Sequence, residues 1–288
     1  MIKQIRRNEI NEAKWNDLIS KHPSGFPYAY TWYLDAVCEQ WEAFVNEDFS
    51  AVMPLPIFKK YFFNVVYQPN FCQQLGVFSL RDDKAIVSAF YSALRKQFFF
   101  YHIQQNFTVQ KIANQETNQR PNFELKLSGG YDLLSQNFNS NTRRNIQKAK
   151  QAALTCSIVE NSFDDFLLFS EQQLAGQKSR VVEKLLHTLS QNKKLITPIV
   201  KDESGNMLAA NLMVKCTNRI IHLIPIVSEE GRKNGAMHFL LSEVIRNFSN
   251  KDMILDFEGS SILSIAQFYK SFGAKEKPFL EIKRGLIK

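Results

Sequence analysis

The chain has 288 residues, of which 44% are hydrophobic and 22% are charged, so it can build one large core or two smaller ones and is not a disordered chain. Its 36 basic and 28 acidic residues give a formal net charge of +8, which favours anionic partners such as a phosphorylated cofactor, a nucleic acid or a lipid head group; solubility alone explains such a charge equally well. No apolar run approaches the roughly 18 residues of a membrane helix, and the polar, basic start of the chain predicts no signal peptide.

The cysteines and histidines predict no metal site. Cys38, Cys72, Cys156 and Cys216 are dispersed, without a CxxC pair, and no histidine stands at zinc-ligand spacing from them. Four buried thiols suit a reducing compartment. We therefore expect a cytoplasmic protein that uses no metal.

The first half of the chain predicts helices and strands in an α/β order. Amphipathic patterns predict helices at 10–20, 31–40 and 84–97. Runs of branched and aromatic residues predict strands at 49–55, 65–67, 98–103, 108–112 and 123–127. The polar segment 114–122 predicts a loop, and the turn Ser128-Gly129-Gly130 predicts a domain boundary.

The second half repeats this order. Helices are predicted at 131–153, with a break near 139–141, and at 163–174, 181–191, 236–248 and 262–272. Strands are predicted at 153–159, 196–201, 208–216, 220–227, 253–257 and 278–282. The predicted fold class is α/β with mixed sheets, in two related domains that span 1–127 and 128–288.

The segment 220–241 combines features that suit an anion site. An apolar strand that carries Pro225 leads through Gly231 and Gly235 into a helix. Because proline has no N–H to donate, the sheet must break, bulge or splay there. Free N–H groups at a helix N-terminus bind anions, and Arg232 and Lys233 add positive charge. The alternative is an ordinary strand–loop–helix junction with a solvated basic loop.

The segment that follows carries a family resemblance. Asp256-Phe257-Glu258-Gly259-Ser260 ends a strand, and Phe268-Tyr269-Lys270-Ser271-Phe272-Gly273-Ala274 ends the next helix. Here the chain resembles the GNAT N-acyltransferase superfamily, whose last helix ends in Tyr-x-x-x-Gly-aromatic; Ala274 departs from this pattern. The superfamily's cofactor loop reads Arg or Gln, two residues, Gly, one residue, then Gly or Ala. Arg232 and Gly235 match it and Met237 does not.

Further motifs resemble bacterial FemAB-like transferases across nearly the whole chain. They are the segments 27–32, 68–76 and 139–149, together with the pair 257–260 and 268–273. These families carry two tandem GNAT-like domains. The resemblance implies an acyl-donor site in the second domain and a first domain on the acceptor side that binds no cofactor of its own.

The resemblance also implies residue roles. Acetyl-CoA or another acyl-CoA would bind to Ile226, Val227, Arg232, Lys233, Asn234, Gly235 and Ala236. The N–H groups of Ile226 and Val227 would hold the charge of the tetrahedral intermediate, and Tyr269 would protonate the leaving thiolate. Glu258 would accept the proton of the amine, directly or through water. The alternative is that its carboxylate caps the backbone or forms an ion pair with a nearby residue. His222, on the cofactor strand, either titrates usefully or is a buried structural histidine.

A basic helix surface is predicted ahead of the donor site. Positions 134, 138, 142, 146, 149 and 153 form one mostly apolar face, while Arg143, Arg144 and Lys148 lie elsewhere and no acid occurs from 137 to 151. This surface either binds an anionic acceptor or is a solvated face or tether. Lys270 either binds a substrate carboxylate or phosphate or extends into solvent.

Other donors and functions remain open. No helix-turn-helix, zinc finger or RNP-like motif appears, so sequence-specific nucleic-acid binding is not expected. Some Fem-like enzymes use aminoacyl-tRNA and act on a cell-wall precursor or peptide, but these commonly insert a long helical hairpin for which 163–191 is too short. A degenerate, non-catalytic binding module is the third reading, supported by Met237. The acceptor, the acyl chain length and the oligomeric state are not specified, and peripheral membrane contact is compatible with the charge.

Overall fold

The computed structural model describes residues 1–60, 62–112, 116–171 and 177–285, without the side chains of residues 177–179. The chain divides into two compact units. The first comprises Met1–Pro121 and Lys277–Lys288, and the second comprises Asn122–Glu276.

The elements alternate between helices and strands in both units. In chain order those up to residue 121 are β1 (Ile2–Arg6), a 3-10 turn (Arg7–Glu9), α1 (Glu12–Lys21), α2 (Thr31–Val37), β2 (Trp41–Asn46), β3 (Ala51–Lys60), β4 (Phe63–Tyr67), β5 (Phe78–Ser79), α3 (Lys84–Gln97), β6 (Tyr101–Gln105) and β7 (Asn118–Arg120). The remainder are β8 (Phe123–Lys126), α4 (Tyr131–Ser135), α5 (Ser140–Gln151), β9 (Thr155–Glu160), α6 (Asp164–Glu171), α7 (Gln177–Gln191), β10 (Leu195–Lys201), β11 (Met207–Lys215), β12 (Arg219–Val227), α8 (Glu229–Lys233), α9 (Ala236–Phe248), β13 (Ile254–Asp256), α10 (Leu263–Lys270), β14 (Lys275–Glu276) and β15 (Phe279–Arg284).

The first unit is built on one mixed sheet. Its strand order is β1-β2-β3-β4-β6-β15-β7, and β5 pairs with β3. The predicted helix 84–97 is confirmed as α3, which begins where the Asp83 carboxylate accepts the N–H of Ala85 at 2.7 Å. Its buried side chains recur at helical spacing, so one face of α3 packs into the core of the unit: Val87, Phe90, Tyr91 and Leu94.

The second unit has its own mixed sheet in the order β14-β8-β13-β12-β11-β10-β9. The pairing of β12 with β13 is parallel, and the other pairings found in this sheet are antiparallel. Helix α9 packs on β10, β11 and α5. These elements contribute side chains to one apolar cluster within the described part of the second unit.

The predicted break in the helix 131–153 is confirmed. Helix α4 ends at Ser135 and α5 starts at Ser140, because the side chain of Asn139 accepts the N–H of Thr142 at 2.8 Å and caps the new helix. The predicted strand at 108–112 is wrong. The N–H of Val109 donates to the carbonyl of Asn106 at 3.2 Å, so the chain turns there instead of extending.

The domain boundary predicted at 127/128 also needs correction. Strand β8, expected to complete the first domain, pairs with β13 and β14 in the second sheet. Strand β15, expected to complete the second domain, pairs with β6 and β7 in the first sheet. A strand's partners are chosen by hydrogen bonds to residues far away in sequence, so the order of the elements does not disclose its sheet.

Candidate active site

The centre of the second sheet opens where two parallel strands part. Strand β12 pairs with β13 only from Arg219 to Ile221, opposite Ile254 to Asp256. Beyond that pair β13 ends, whereas β12 continues to Val227 alongside β11. One edge of β12 is therefore left without a parallel partner over its last six residues.

Pro225 lies on this unpaired stretch. The N–H of Ser228 donates to the carbonyl of Leu208 at 3.0 Å, and bonded pairs alternate along an antiparallel ladder. Pro225 faces Asn211 in a non-bonded pair, so its missing N–H removes no bond to β11. The ladder to β11 is regular at Pro225, and its register shifts instead between Leu212 and Met213, opposite the stretch from Ile224 to His222.

The same alternation gives the N–H groups of the two predicted oxyanion donors opposite directions. Ile226, opposite Ala210, occupies a bonded position, so its N–H is directed to β11. Val227, opposite Ala209, occupies a non-bonded position, and its N–H points away from β11 to the open edge. Of the two, Val227 is the one with a donor available to a ligand at this edge.

Tyr269 lies at the point where the strands part. Its ring centroid is 5.7 Å from that of His222 and 5.1 Å from that of Phe257. These two residues directly follow the last parallel pair, Ile221 and Asp256. The ring of Tyr269 is 8% exposed, and its hydroxyl makes no hydrogen bond within the described part of the chain.

The surroundings of Tyr269 keep its phenol protonated. Burial raises the pKa of Tyr269, and the negative charges of Glu258 and Asp256 raise the pKa further. The neutral phenol therefore persists at neutral pH, which is the form that can donate a proton.

His222 fits the structural reading better than the catalytic one. It is 2% exposed, and burial lowers its pKa to about 3, so the imidazole is neutral near neutral pH. Its Nδ1 contacts the side-chain amide nitrogen of Asn211 on the neighbouring strand. The amide oxygen of Asn211 finds no hydrogen-bond partner among the described residues.

Glu258 stands just past the end of β13 in a constrained backbone. Its φ is 58°, its N–H donates to Asp256 Oδ1 at 2.9 Å, and its carbonyl accepts the N–H of Phe123 at 3.1 Å. Its side chain is half-buried and acts electrostatically on Tyr269. The structure thus brings the two predicted catalytic residues into one neighbourhood.

A buried ionic cluster links β12, β13 and β8 where these strands are paired. Arg219 Nη1 lies 2.5 Å from Asp256 Oδ2 and 2.7 Å from Glu124 Oε1, and Arg219 and Asp256 are almost fully buried. Burial raises the pKa of Asp256, an effect that the Arg219 charge opposes. Sequence reasoning missed this cluster because its members lie on three separate strands.

The predicted cofactor loop is more helical than expected. Arg232 and Lys233 end the short helix α8, which the Ser228 side chain caps by accepting the Gly231 N–H at 3.0 Å. The N–H groups of Arg232, Asn234 and Gly235 also donate within this segment. Ala236 begins α9, and its N–H belongs to the first turn, which has no acceptor inside the helix.

The two glycines of this segment are required by close packing. Gly235 has φ +70°, and a Cβ there would lie 2.5 Å from the carbonyl oxygen of Asn145 on α5. A Cβ on Gly231 would lie 2.2 Å from the carbonyl oxygen of Leu208. The contact at Gly235 also sets the basic helix α5 against the N-terminus of α9.

The predicted substrate-binding residues lie on surfaces. Arg143, Arg144 and Lys148 are exposed on α5, and no carboxylate in the described ranges forms an ion pair with them. Lys270 is exposed at the end of α10, where its Nζ is 3.1 Å from Glu276 Oε2 and 5.2 Å from the ring centroid of Phe123. The arginines lie on the helix that meets the α9 N-terminus through Asn145, whereas Lys270 is engaged by its own unit.

Comparison with solved structures gives the fold of the whole chain. FemX aligns over 97% of this chain and 97% of its own, with a TM-score of 0.64 and 11% sequence identity. The C-terminal domain of a protein described as a lysylphosphatidylglycerol synthetase from Agrobacterium fabrum aligns over 95% of this chain and 91% of its own, with a TM-score of 0.62 and 12% identity. The structure of L-PGS from Bacillus licheniformis aligns over 94% of this chain and 91% of its own, with a TM-score of 0.60 and 12% sequence identity.

The chain has a two-domain α/β fold like that of FemX, which confirms the FemAB-like resemblance at the level of the fold. No protein-family model matches the chain, and no curated protein does. Across the described ranges, no group of three or more His, Cys, Asp or Glu side chains could hold a metal ion. No helix in these ranges is long and apolar enough to cross a membrane.

Proposed function

We propose that the protein is an acyl- or aminoacyltransferase and, within this class, an N-acyltransferase that uses an acyl-CoA donor. The observation that carries the proposal is the position of Tyr269 where β12 and β13 part. The GNAT resemblance assigns the leaving-group proton to this tyrosine. The outward-facing N–H of Val227 lies on the same open edge of β12, five residues along the strand from His222.

The donor would lie along the open edge of β12 in the second unit. Its thioester carbonyl would accept the N–H of Val227, and its pyrophosphate would lie at the N-terminus of α9. There the first-turn N–H groups, beginning with Ala236, and the exposed Arg232 supply positive potential. Lys233 contributes less positive potential, because its Nζ lies 3.0 Å from Glu229 Oε1, whose negative charge offsets it.

The reaction would proceed through a tetrahedral intermediate. The acceptor amine attacks the thioester carbonyl carbon and forms the new C–N bond, and the oxygen takes up the negative charge beside the Val227 N–H. Glu258 takes the proton that the amine releases. The C–S bond then breaks, and the CoA thiolate receives the Tyr269 proton. The products are an amide and free CoA.

Calorimetric titration with acetyl-CoA and with longer acyl-CoAs tests the donor. We expect micromolar binding that Arg232→Ala weakens about tenfold, as expected when one charge-assisted phosphate contact is lost. Arg81→Ala, which removes an exposed arginine of the first unit, is the control and should bind as the original protein does. The absence of binding to every CoA species would refute the acyl-CoA proposal.

An aminoacyl donor is the second candidate. Arg143, Arg144 and Lys148 are exposed on α5, which contacts the donor loop through Asn145, and they lie in a segment without acidic residues that suits a polyanion. The similar structures include FemX and a lysylphosphatidylglycerol synthetase domain, the latter named for a lysyl-carrying product. A gel shift with aminoacyl-tRNA that weakens steeply with salt and is lost in Arg143→Ala/Arg144→Ala would favour this donor. A protein that binds neither donor would be a non-catalytic binding module.

A further inference from the structure

The first unit exposes a group of phenylalanines around one hairpin. Phe58 and Phe63, in strands β3 and β4, are 62% and 55% exposed, and Phe62 between the strands is 99% exposed. Phe99, just before β6, is 66% exposed. Such a density of exposed aromatic rings at one place is unusual for a soluble surface and marks an interaction site.

The register shows that these rings form one continuous surface. Phe58 pairs with Val65 and Lys60 pairs with Phe63, so the side chains of Phe58 and Phe63 project from the same face of the sheet. The Phe63 ring lies 5.6 Å from that of Phe100, which in turn lies 5.0 Å from that of Phe99. We call Phe58, Phe62, Phe63, Phe99 and Phe100 the aromatic edge.

Positive charges surround the aromatic edge, and negative ones are excluded from its segments. No aspartate or glutamate occurs between Asp48 and Asp82, or between Asp83 and Glu116. Lys59 and Lys60 lie in the hairpin, Arg95 and Lys96 precede Phe99, and the Arg284 guanidinium lies 5.6 Å from the centroid of the Phe99 ring. Exposed rings and cations in the same segments match the chemistry of an anionic bilayer surface.

We propose that the aromatic edge docks the protein onto a bilayer that carries anionic lipid head groups. The phenylalanine rings enter the boundary between head groups and acyl chains, and the lysines and arginines remain at the level of the phosphates. A second copy of the chain is a poorer occupant, because it would bring two acid-free basic surfaces together and like charges repel. This proposal is independent of the acyl donor.

Vesicle sedimentation tests the docking. We expect the full chain to sediment with phosphatidylcholine vesicles that contain phosphatidylglycerol and to remain in solution with pure phosphatidylcholine. Phe58→Ser/Phe62→Ser should lower the partition coefficient about tenfold or more, since each exposed ring contributes transfer energy on entering the bilayer. Leu133→Ser/Leu168→Ser removes two exposed leucines of the second unit and should sediment as before.

The charge requirement has its own control. Lys59→Gln/Lys60→Gln should weaken sedimentation with anionic vesicles about tenfold, whereas Lys3→Gln/Lys14→Gln, at exposed positions elsewhere in the first unit, should leave it nearly unchanged. Added salt should weaken binding by the original chain.

A spectroscopic probe measures insertion directly. Phe62→Trp places an indole at a 99% exposed position, where the larger ring meets no steric obstacle. We expect its emission to shift to shorter wavelength with anionic vesicles and to be quenched by brominated acyl chains. No sedimentation with anionic vesicles, or sedimentation that the phenylalanine variant leaves intact, would overturn the proposal. So would a dimer in solution that Phe58→Ser/Phe62→Ser dissociates, because the edge would then be covered by a second copy.

Discussion

The ring of Tyr269 stacks on the ring of Phe257, with centroids 5.1 Å apart and planes inclined by 28°. Phe257 is the first residue after the parallel pairing of β13, so this stacking fixes the tyrosine to the end of the strand. The Phe123 ring, 6.0 Å away, bounds it on a third side. A phenol held in this way keeps its orientation without a hydrogen bond at its hydroxyl, which stays available to a substrate.

Replacing Tyr269 by phenylalanine removes the hydroxyl and keeps the ring contacts. We expect turnover to fall about 10²-fold or more, in line with the contribution of a general acid, while acyl-CoA still binds. Tyr131→Phe is the control, since it removes a hydroxyl that lies 2.6 Å from Ser242 Oγ, outside the opening. Steady-state kinetics and calorimetry check both variants. Unchanged turnover in Tyr269→Phe would exclude the residue from proton transfer.

Removing the N–H of Val227 tests the oxyanion donor. Val227→Pro deletes this donor at a non-bonded position, so no bond to β11 is lost, and we expect turnover to fall about 10²-fold with little change in melting temperature. Val227→Ala keeps the N–H and should retain most of the activity. Equal activity of the two variants would mean that this N–H does not hold the developing charge.

Gly235→Ala should destabilise the second unit more than an alanine at another left-handed glycine. The new Cβ would meet the Asn145 carbonyl at 2.5 Å, which adds overpacking of about 1–3 kcal/mol to the conformational cost of about 1–2 kcal/mol. Gly205→Ala, with φ +83° and no atom within 4 Å of the new Cβ, should show only the conformational cost. Urea denaturation measures the difference in the free energy of unfolding. Equal losses in the two variants would show that α5 can shift to accommodate the new Cβ at little cost.

Arg219→Met should strongly destabilise the second unit. It leaves Asp256 and Glu124 without their buried cation, and breaking such a buried pair costs about 3–5 kcal/mol. The loss should shrink at acid pH, because burial raises the pKa of Asp256 and its carboxylate can then take up a proton. Lys201→Met breaks an exposed pair with Asp165 and should cost at most about 1 kcal/mol. Similar losses for both variants in urea denaturation would contradict this account.

Buried histidines predict that stability falls below neutral pH. Burial lowers the pKa of His22 to about 4 and that of His222 to about 3, and partial burial lowers the pKa of the half-buried His238 to about 4, whereas unfolded histidine titrates near 6.5. Between these values the unfolded chain binds more protons than the folded one. The free energy of unfolding therefore decreases as the pH falls, by on the order of 1.4 kcal/mol per pH unit for each histidine.

His238→Phe isolates one of these contributions. The substitution keeps an aromatic ring against Phe272 and Phe268 and removes the titrating group. We expect the variant to lose less stability than the original between about pH 7 and about pH 5, because one proton-binding difference is gone. His187→Phe, at an exposed position, should lose as much as the original. Urea denaturation at both pH values checks this, and parallel losses in all three proteins would contradict it.

Local signals in the sequence predicted most of the helices and the FemAB-like resemblance. The cap at Asn139, the periodicity of α3 and the end of α10 around Tyr269 depend on residues within a few positions of one another. Such features can be read from the chain without knowing what it folds against.

The tertiary structure decided what depends on distant pairing. It placed β8 in the second sheet and β15 in the first, and it assembled the Arg219 cluster from three strands. It also directed the N–H of Val227, and not that of Ile226, to the open edge. Helix hydrogen bonds close within four residues, whereas sheet hydrogen bonds join segments far apart in the chain. The sequence by itself therefore determined the helices and the candidate tyrosine, and only the folded sheets decided which strands part and which donors face the opening.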